Sequence, residues 1–255
     1  SDYLKTAKES AQFIVNNLIS TEGNLYRTWQ NGKASQPGTL ADYAGLIAAL
    51  NSVYNIAFDP HDYQSIRILF EKMQNIFGSQ DNLYFDAAAD VADLIVRPRN
   101  LQDNATPSGN AIAAYAHWLI ANYDHNPAHA DRAQQMIAQI GKLASAYPTS
   151  FGFWLQVAGL FAQATQQIAL ASDEGLPSLD PFLSIYRKAY RPFSIIAARY
   201  AEQSCKSGLP AILDDRPTLN GKPTAFICQG FICRSPVTLP HKFEEQLDQV
   251  TENFH

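Results

Sequence analysis

Apolar residues recur every three to four positions through most of the first 164 residues, and that period makes helix packed on helix the expected architecture there. Leu4, Ala7, Ala11, Ile14, Val15 and Leu18 draw one stripe over residues 3–19. Tyr43, Leu46, Ile47, Leu50 and Tyr54 draw the second, and Tyr63, Ile66, Phe70, Met73 and Phe77 the third. Ile112, Ala116, Leu119, Ile120 and Tyr123 make a fourth, and Ala133, Met136, Ile137, Ile140, Ala144 and Tyr147 a fifth. Residues 151–164 are apolar nearly all round, as expected of a helix buried on several sides. Start signals agree with the stripes. Thr39 and Asp42 have the spacing of a capping box, and Asp59-Pro60 and Asn126-Pro127 each place a cap before a proline. The reading is about six helices in antiparallel succession, with connections alternating between short and long. One short strand, from Leu25 to Gln30, precedes an Asn31-Gly32 turn.

After Gln166 the pattern changes. Gln167–Ala171, Phe193–Ala198 and Ala225–Cys228 read as strands, Pro181–Tyr190 as a short helix, and the tail from Pro240 as a polar helix. The expected fold is therefore mainly α: helical hairpins over residues 1–165, then a small α/β segment over 166–255 packed on them.

Composition narrows the function classes. The net charge of −5 offers no electrostatic hold on nucleic acid or anionic lipid. No apolar run approaches the roughly 20 residues of a membrane span, and the first residues lack the layout of a signal peptide. Three cysteines make no disulfide framework, which points to a reducing, cytoplasmic setting. Cys228 and Cys233 are five apart. On one extended strand they would point to opposite faces, so they are expected to be structural and unbonded. His61, His117, His125, His129, His241 and His255 lack metal-ligand spacing, and no phosphate-binding, dinucleotide or nucleophile motif is present, so no metal or cofactor is expected.

The densest polar text runs from Phe85 to Asn110 and ends on a helix start, where Thr106 is expected to cap and Pro107 to take the first position. Leu83-Tyr84-Phe85 and Leu94-Ile95-Val96 suit a small hairpin inside it. Asp42, Asp86, Asp90 and Asp103 all lie in long loops or at helix starts, where carboxylates can converge for acid–base work. Tyr26, Trp29, Tyr84, Phe85 and Trp154 are candidate faces for stacking on sugar rings.

Several stretches taken together carry a family resemblance. They include Leu40-Ala41-Asp42-Tyr43-Ala44, Tyr84-Phe85-Asp86-Ala87-Ala88, Ile95-Val96-Arg97-Pro98 and Asp103-Asn104-Ala105-Thr106-Pro107-Ser108-Gly109-Asn110. Tyr190-Arg191-Pro192, Asp215-Arg216-Pro217, Gly221-Lys222-Pro223-Thr224-Ala225 and Cys228-Gln229-Gly230-Phe231-Ile232-Cys233 follow. In order and spacing the chain resembles the C-terminal portion of thioredoxin-domain-containing proteins related to spermatogenesis-associated protein 20 and bacterial YyaL. The resemblance implies an (α/α) toroid of the six-hairpin glycosidase type, here about half of one. The remaining barrel helices and a thioredoxin-like domain would then be partners within a longer protein.

It further implies a carbohydrate ligand, with hydrolysis, epimerisation or plain binding as the possible activities. Asp42, Asp86 and Asp103 would serve as acids or bases. Arg27 and Arg97 would hold substrate oxygens, Ser108 and Asn110 would bond hydroxyls, and Trp29, Tyr43 and His117 would complete the set. The competing reading is a non-catalytic helical module that packs on the missing domains.

Overall fold

A computed structural model of the chain describes residues 2–91, 94–201, 203, 208–230 and 232–249; Phe231 and His255 lie outside them. Six helices come first: α1 (Asp2–Leu18), α2 (Leu40–Ala57), α3 (Pro60–Phe77), α4 (Gly109–Tyr123), α5 (Pro127–Ala146) and α6 (Gly152–Gly159). A hairpin of β1 (Tyr26–Gln30) and β2 (Lys33–Pro37) joins α1 to α2. Its turn residues Asn31 and Gly32 both have positive φ, the conformation that a tight hairpin asks of its two central residues.

The helix starts are set locally. Asp59 accepts from the His61 amide with Pro60 at the first position, and Asn126 accepts from the Ala128 amide with Pro127 following. At α2 the Asp42 carboxylate reaches back to the Thr39 amide and hydroxyl, each at 2.7 Å. Helix α4 starts two residues later than expected. Its cap is Ser108, whose Oγ accepts from the Ala111 amide, and not Thr106. The Asn104 amide donates to Thr106 O, so 104–106 is already committed to a turn, and the Ser108 amide is taken up by the Asp103 carboxylate, outside the helix.

Helix α4 is buried on nearly every side and α2 over a broad face, whereas α3 and α5 bury one stripe each. The α2–α3 and α4–α5 hairpins meet through α2 and α4. Their N-terminal ends come so close that a Cβ on Gly109 would lie 3.1 Å from the Ala41 nitrogen and from Leu40 Cγ. A side chain there would have to push the start of α2 aside by a few tenths of an ångström.

Helix α6 is shorter than its apolar text suggests. From Leu160 to Ala162 each amide donates to a carbonyl three residues back, tightening and ending the helix at Gly159. Leu155 is left exposed while Trp154 and Val157 are buried. The expected hairpin inside residues 83–105 does not form. Tyr84 makes one bridge to Gly78, and Ile95 and Val96 stand in the open.

The second part is a four-stranded sheet in the order β4-β3-β5-β6, with β3 Gln166–Ala171, β4 Ser194–Arg199, β5 Thr224–Gln229 and β6 Ile232–Cys233. Strands β3 and β4 are parallel across α7 (Asp180–Arg187), β5 is antiparallel to β3, and β6 closes the outer edge of β5. Helix α8 (Pro240–Asp248) packs Phe243 on Phe182 of α7. The three long strands are buried along most of their length and read as continuous apolar runs, as strands covered on both faces do.

One apolar core runs through both parts. The Tyr123 hydroxyl lies 3.1 Å from both Asn51 Oδ1 and Asn55 Oδ1 and 3.2 Å from Ile196 O, tying α4 to α2 and to β4.

One expectation about the cysteines is overturned. Cys228 and Cys233 form a disulfide. They do not share a strand: the chain reverses after Gln229, so Cys228 on β5 pairs directly with Cys233 on β6, their Cα atoms 3.9 Å apart.

Candidate ligand-binding groove

The loop that drew attention in the sequence is held together by its own polar groups. Asp103 accepts from the Ser108 amide at 2.8 Å and from the Phe153 amide at 2.7 Å, so one carboxylate ties the start of α4 to the start of α6. Asp86 accepts from the Asn100 amide at 2.7 Å, and burial raises its carboxyl pKa. Arg97 donates to Ala87 O and Ile76 O and lies 4.1 Å over the Phe85 ring. Asp42, besides closing the start of α2, meets Arg27 Nε at 3.0 Å.

The remaining residues of the sequence-derived set are similarly occupied. Asn110 is fully buried and exchanges two bonds with the Tyr84 backbone. Ser108 caps α4, and the Tyr43 hydroxyl accepts from the Leu25 amide. Trp29 packs edge-on against Phe13. His117 is buried, with Nε2 at 2.6 Å from the Tyr84 hydroxyl, Nδ1 without a hydrogen-bond partner, and burial holding its pKa well below the ordinary imidazole value. Among these residues Asp42 and Arg27 meet in an ion pair, and the Ser108 amide donates a hydrogen bond to Asp103. None of Asp42, Asp86 and Asp103 lines either of the two cavities described next.

Of the cavities that lie elsewhere, two border the helical hairpins. The first, of about 450 Å³, opens between α3, the α4–α5 turn and the turn at Ala211. Its wall carries Arg67, Glu71, Asp124, His129 and Asp214. Asp124 is already committed: it accepts from the Tyr63 hydroxyl at 2.8 Å and pairs with Arg67 at 3.5 Å. His129 sits edge-on to Phe70, and burial lowers its pKa.

The second, of about 540 Å³, is a groove bounded by α2, α4, α6 and the segment joining α7 to β4. Aromatic rings supply much of its wall. Tyr115 and Trp118 on α4 stack at 5.8 Å, Phe153 meets Tyr115 edge-on at 6.2 Å, and Tyr190 stands 91% exposed at the rim. Polar groups are interleaved with them: Asn51, Ser52 and Asn55 from α2, Gln156 from α6, and Ser194, which bonds the Tyr186 hydroxyl at 2.9 Å. Burial raises the Tyr115 and Tyr186 phenol pKa values, so both remain neutral hydroxyls at ordinary pH. No Asp, Glu or His lines this groove among the described residues.

Such a wall can stack on a ring and hydrogen-bond hydroxyls. The groove residues were absent from the sequence-derived set. Tyr115 and Trp118, three apart on one helix face, and the Tyr190-Arg191-Pro192 segment were the available signal.

No family model matches the chain. Over 94% of its length it is 22% identical to spermatogenesis-associated protein 20 of Homo sapiens, and over 95% it is 21% identical to the protein of that name from Mus musculus. This similarity bears out the resemblance read from the motifs. The chain spans about a third of the length of these curated relatives (32%).

Proposed function

We propose that this chain is the sugar-binding helical portion of a longer protein related to spermatogenesis-associated protein 20, and that it binds carbohydrate without turning it over. The observation that carries the reading is the α2–α4–α6 groove: stacked aromatic rings beside amides and hydroxyls, with no carboxylate or imidazole on its wall. A sugar ring offers an apolar C–H face and a rim of hydroxyls, and this wall complements both. Asp42, Asp86 and Asp103 then have structural duties, each accepting backbone N–H groups that would otherwise lack a partner. Calorimetric titration with a panel of mono- and oligosaccharides tests it. Saturable binding that Tyr190→Ala weakens is expected; a panel with no binder would overturn it.

A second reading is favoured by the exposed Leu155 and Tyr190 on the same groove and by the chain's span of a third of its relatives. Here the groove receives another segment of the longer protein. The α1–α6 hairpins would be part of an (α/α) toroid completed by further helices, with a thioredoxin-like domain beyond them. Adding the remaining helices in trans would then protect Tyr190 from solvent, and sugars would not compete.

A further inference from the structure

The Cys228–Cys233 bridge lies away from the groove, on the outer edge of the sheet. It crosses from β5 to the two-residue strand β6, with Cys228 6% exposed and Cys233 open to solvent. One cation faces both sulfurs: Arg216 Nη2 is 3.4 Å from Cys228 Sγ and 3.4 Å from Cys233 Sγ. The guanidinium is held in place. Its Cζ lies 5.3 Å over the Phe226 ring, and the Arg216 carbonyl accepts from Arg199 Nε at 3.0 Å.

A purely structural bridge needs no cation. In a disulfide that reacts a cation speeds exchange, because each step expels a thiolate, and a nearby positive charge stabilises that leaving group. We propose that Cys228–Cys233 is a thiol–disulfide exchange site, with a dithiol reductant as its co-substrate and Arg216 as the residue that positions and stabilises the leaving sulfur.

The sequence of events follows from exposure. A thiolate of the reductant attacks Cys233 Sγ, the accessible sulfur, and forms a mixed disulfide. The Sγ–Sγ bond breaks, and Cys228 leaves as a thiolate against Arg216 before taking a proton from solvent. The second thiol of the reductant then displaces Cys233, giving two protein thiols and an oxidised reductant. Two electrons pass from the dithiol to the bridge, and nothing else is consumed.

Opening the bridge has a structural readout. Among the described residues strand β6 pairs with β5 at Cys228–Cys233 and Gln229–Ile232, so on reduction the edge of β5 loses its covalent tie.

The chain carries a third cysteine, but the assay separates it. Trypsin cuts after Lys206 and Arg234 and is blocked at Arg216-Pro217 and Lys222-Pro223, so peptide 207–234 holds both bridge cysteines and excludes Cys205. The folded protein is reduced with dithiothreitol, quenched by alkylation at intervals, and this peptide is weighed. Reduction of the folded chain is expected to outpace reduction of the chain unfolded in guanidinium chloride. Arg216→Gln is expected to slow it by roughly three- to tenfold, and Arg216→Lys to restore most of the rate. With glutathione as a one-thiol reductant, the mixed disulfide is expected on Cys233. Equal rates for the wild-type and Arg216→Gln proteins, a folded bridge slower than the unfolded one, or glutathione trapped on Cys228 would each overturn the proposal.

Discussion

Asn110 acts as a strand for Tyr84: its Oδ1 accepts from the Tyr84 amide at 2.8 Å and its Nδ2 donates to the Tyr84 carbonyl at 2.9 Å. Both residues are fully buried. The side-chain amide thus satisfies the two backbone groups of a residue that no neighbouring strand pairs on that side. Asn110→Ala leaves both groups buried and unbonded, so a loss of about 2–4 kcal/mol is expected in urea denaturation. Asn110→Asp removes the donor while keeping the volume. A loss under about 0.5 kcal/mol in either variant would mean that the pairing contributes little to the fold.

The Asp103 carboxylate gives a way to separate architecture from chemistry. Asp103→Asn retains one acceptor but loses the charge that favours two helix starts, and about 1–2 kcal/mol of stability is expected to go with it. Saccharide affinity of the folded variant is expected to be unchanged. If binding disappears while stability is kept, the groove is the wrong site and the central loop is the right one.

His117 sets an acid limb on stability. Its folded-state pKa lies well below the ordinary 6.5, mainly through burial and next through Arg132. Below pH 6.5 the unfolded chain takes up a proton that the folded chain refuses, so stability falls as the pH drops through that value. In His117→Gln that part of the acid limb is expected to vanish. Denaturation midpoints measured from pH 7.5 down to 5 compare the two proteins, and parallel curves would remove His117 from the account.

Tyr190 is exposed enough to be removed cheaply. Tyr190→Ala is expected to leave the thermal midpoint within a degree or so, because the ring buries little area. It should weaken saccharide binding by roughly three- to tenfold, the worth of one aromatic contact of about 0.5–1.5 kcal/mol. Unchanged affinity would place the ligand deeper, against Trp118.

Local chemistry was what the sequence conveyed well. The caps at Asp59 and Asn126, the Asn31-Gly32 turn and the helical stripes depend on residues a few positions apart, and each appears where its spacing places it. The start of α4 shifts from Thr106 to Ser108 where the Asp103 carboxylate takes up the Ser108 amide, and the same carboxylate is fixed by a distant partner, the Phe153 amide. A carboxylate accepting buried N–H groups and one facing a ligand have the same text, which is why Asp103 looked like a candidate acid. The bridge between Cys228 and Cys233 depended on where the strand turned, and the groove required α2, α4, α6 and the α7–β4 segment to meet across more than a hundred residues.

The hydroxyl of Tyr123, buried between Asn51, Asn55 and Ile196, carries a consequence for the order of assembly. On a ribosome the helices emerge well before residue 196, and Tyr123 then has its α2 partners but not its sheet partner. The face of α4 that meets the sheet remains wet until β4 has been made. Synthesis therefore passes through a stage in which the hairpins are formed and the core is open, and the last third of the chain closes it. A nascent chain stalled near residue 165 would be the species most exposed to chaperones and proteases.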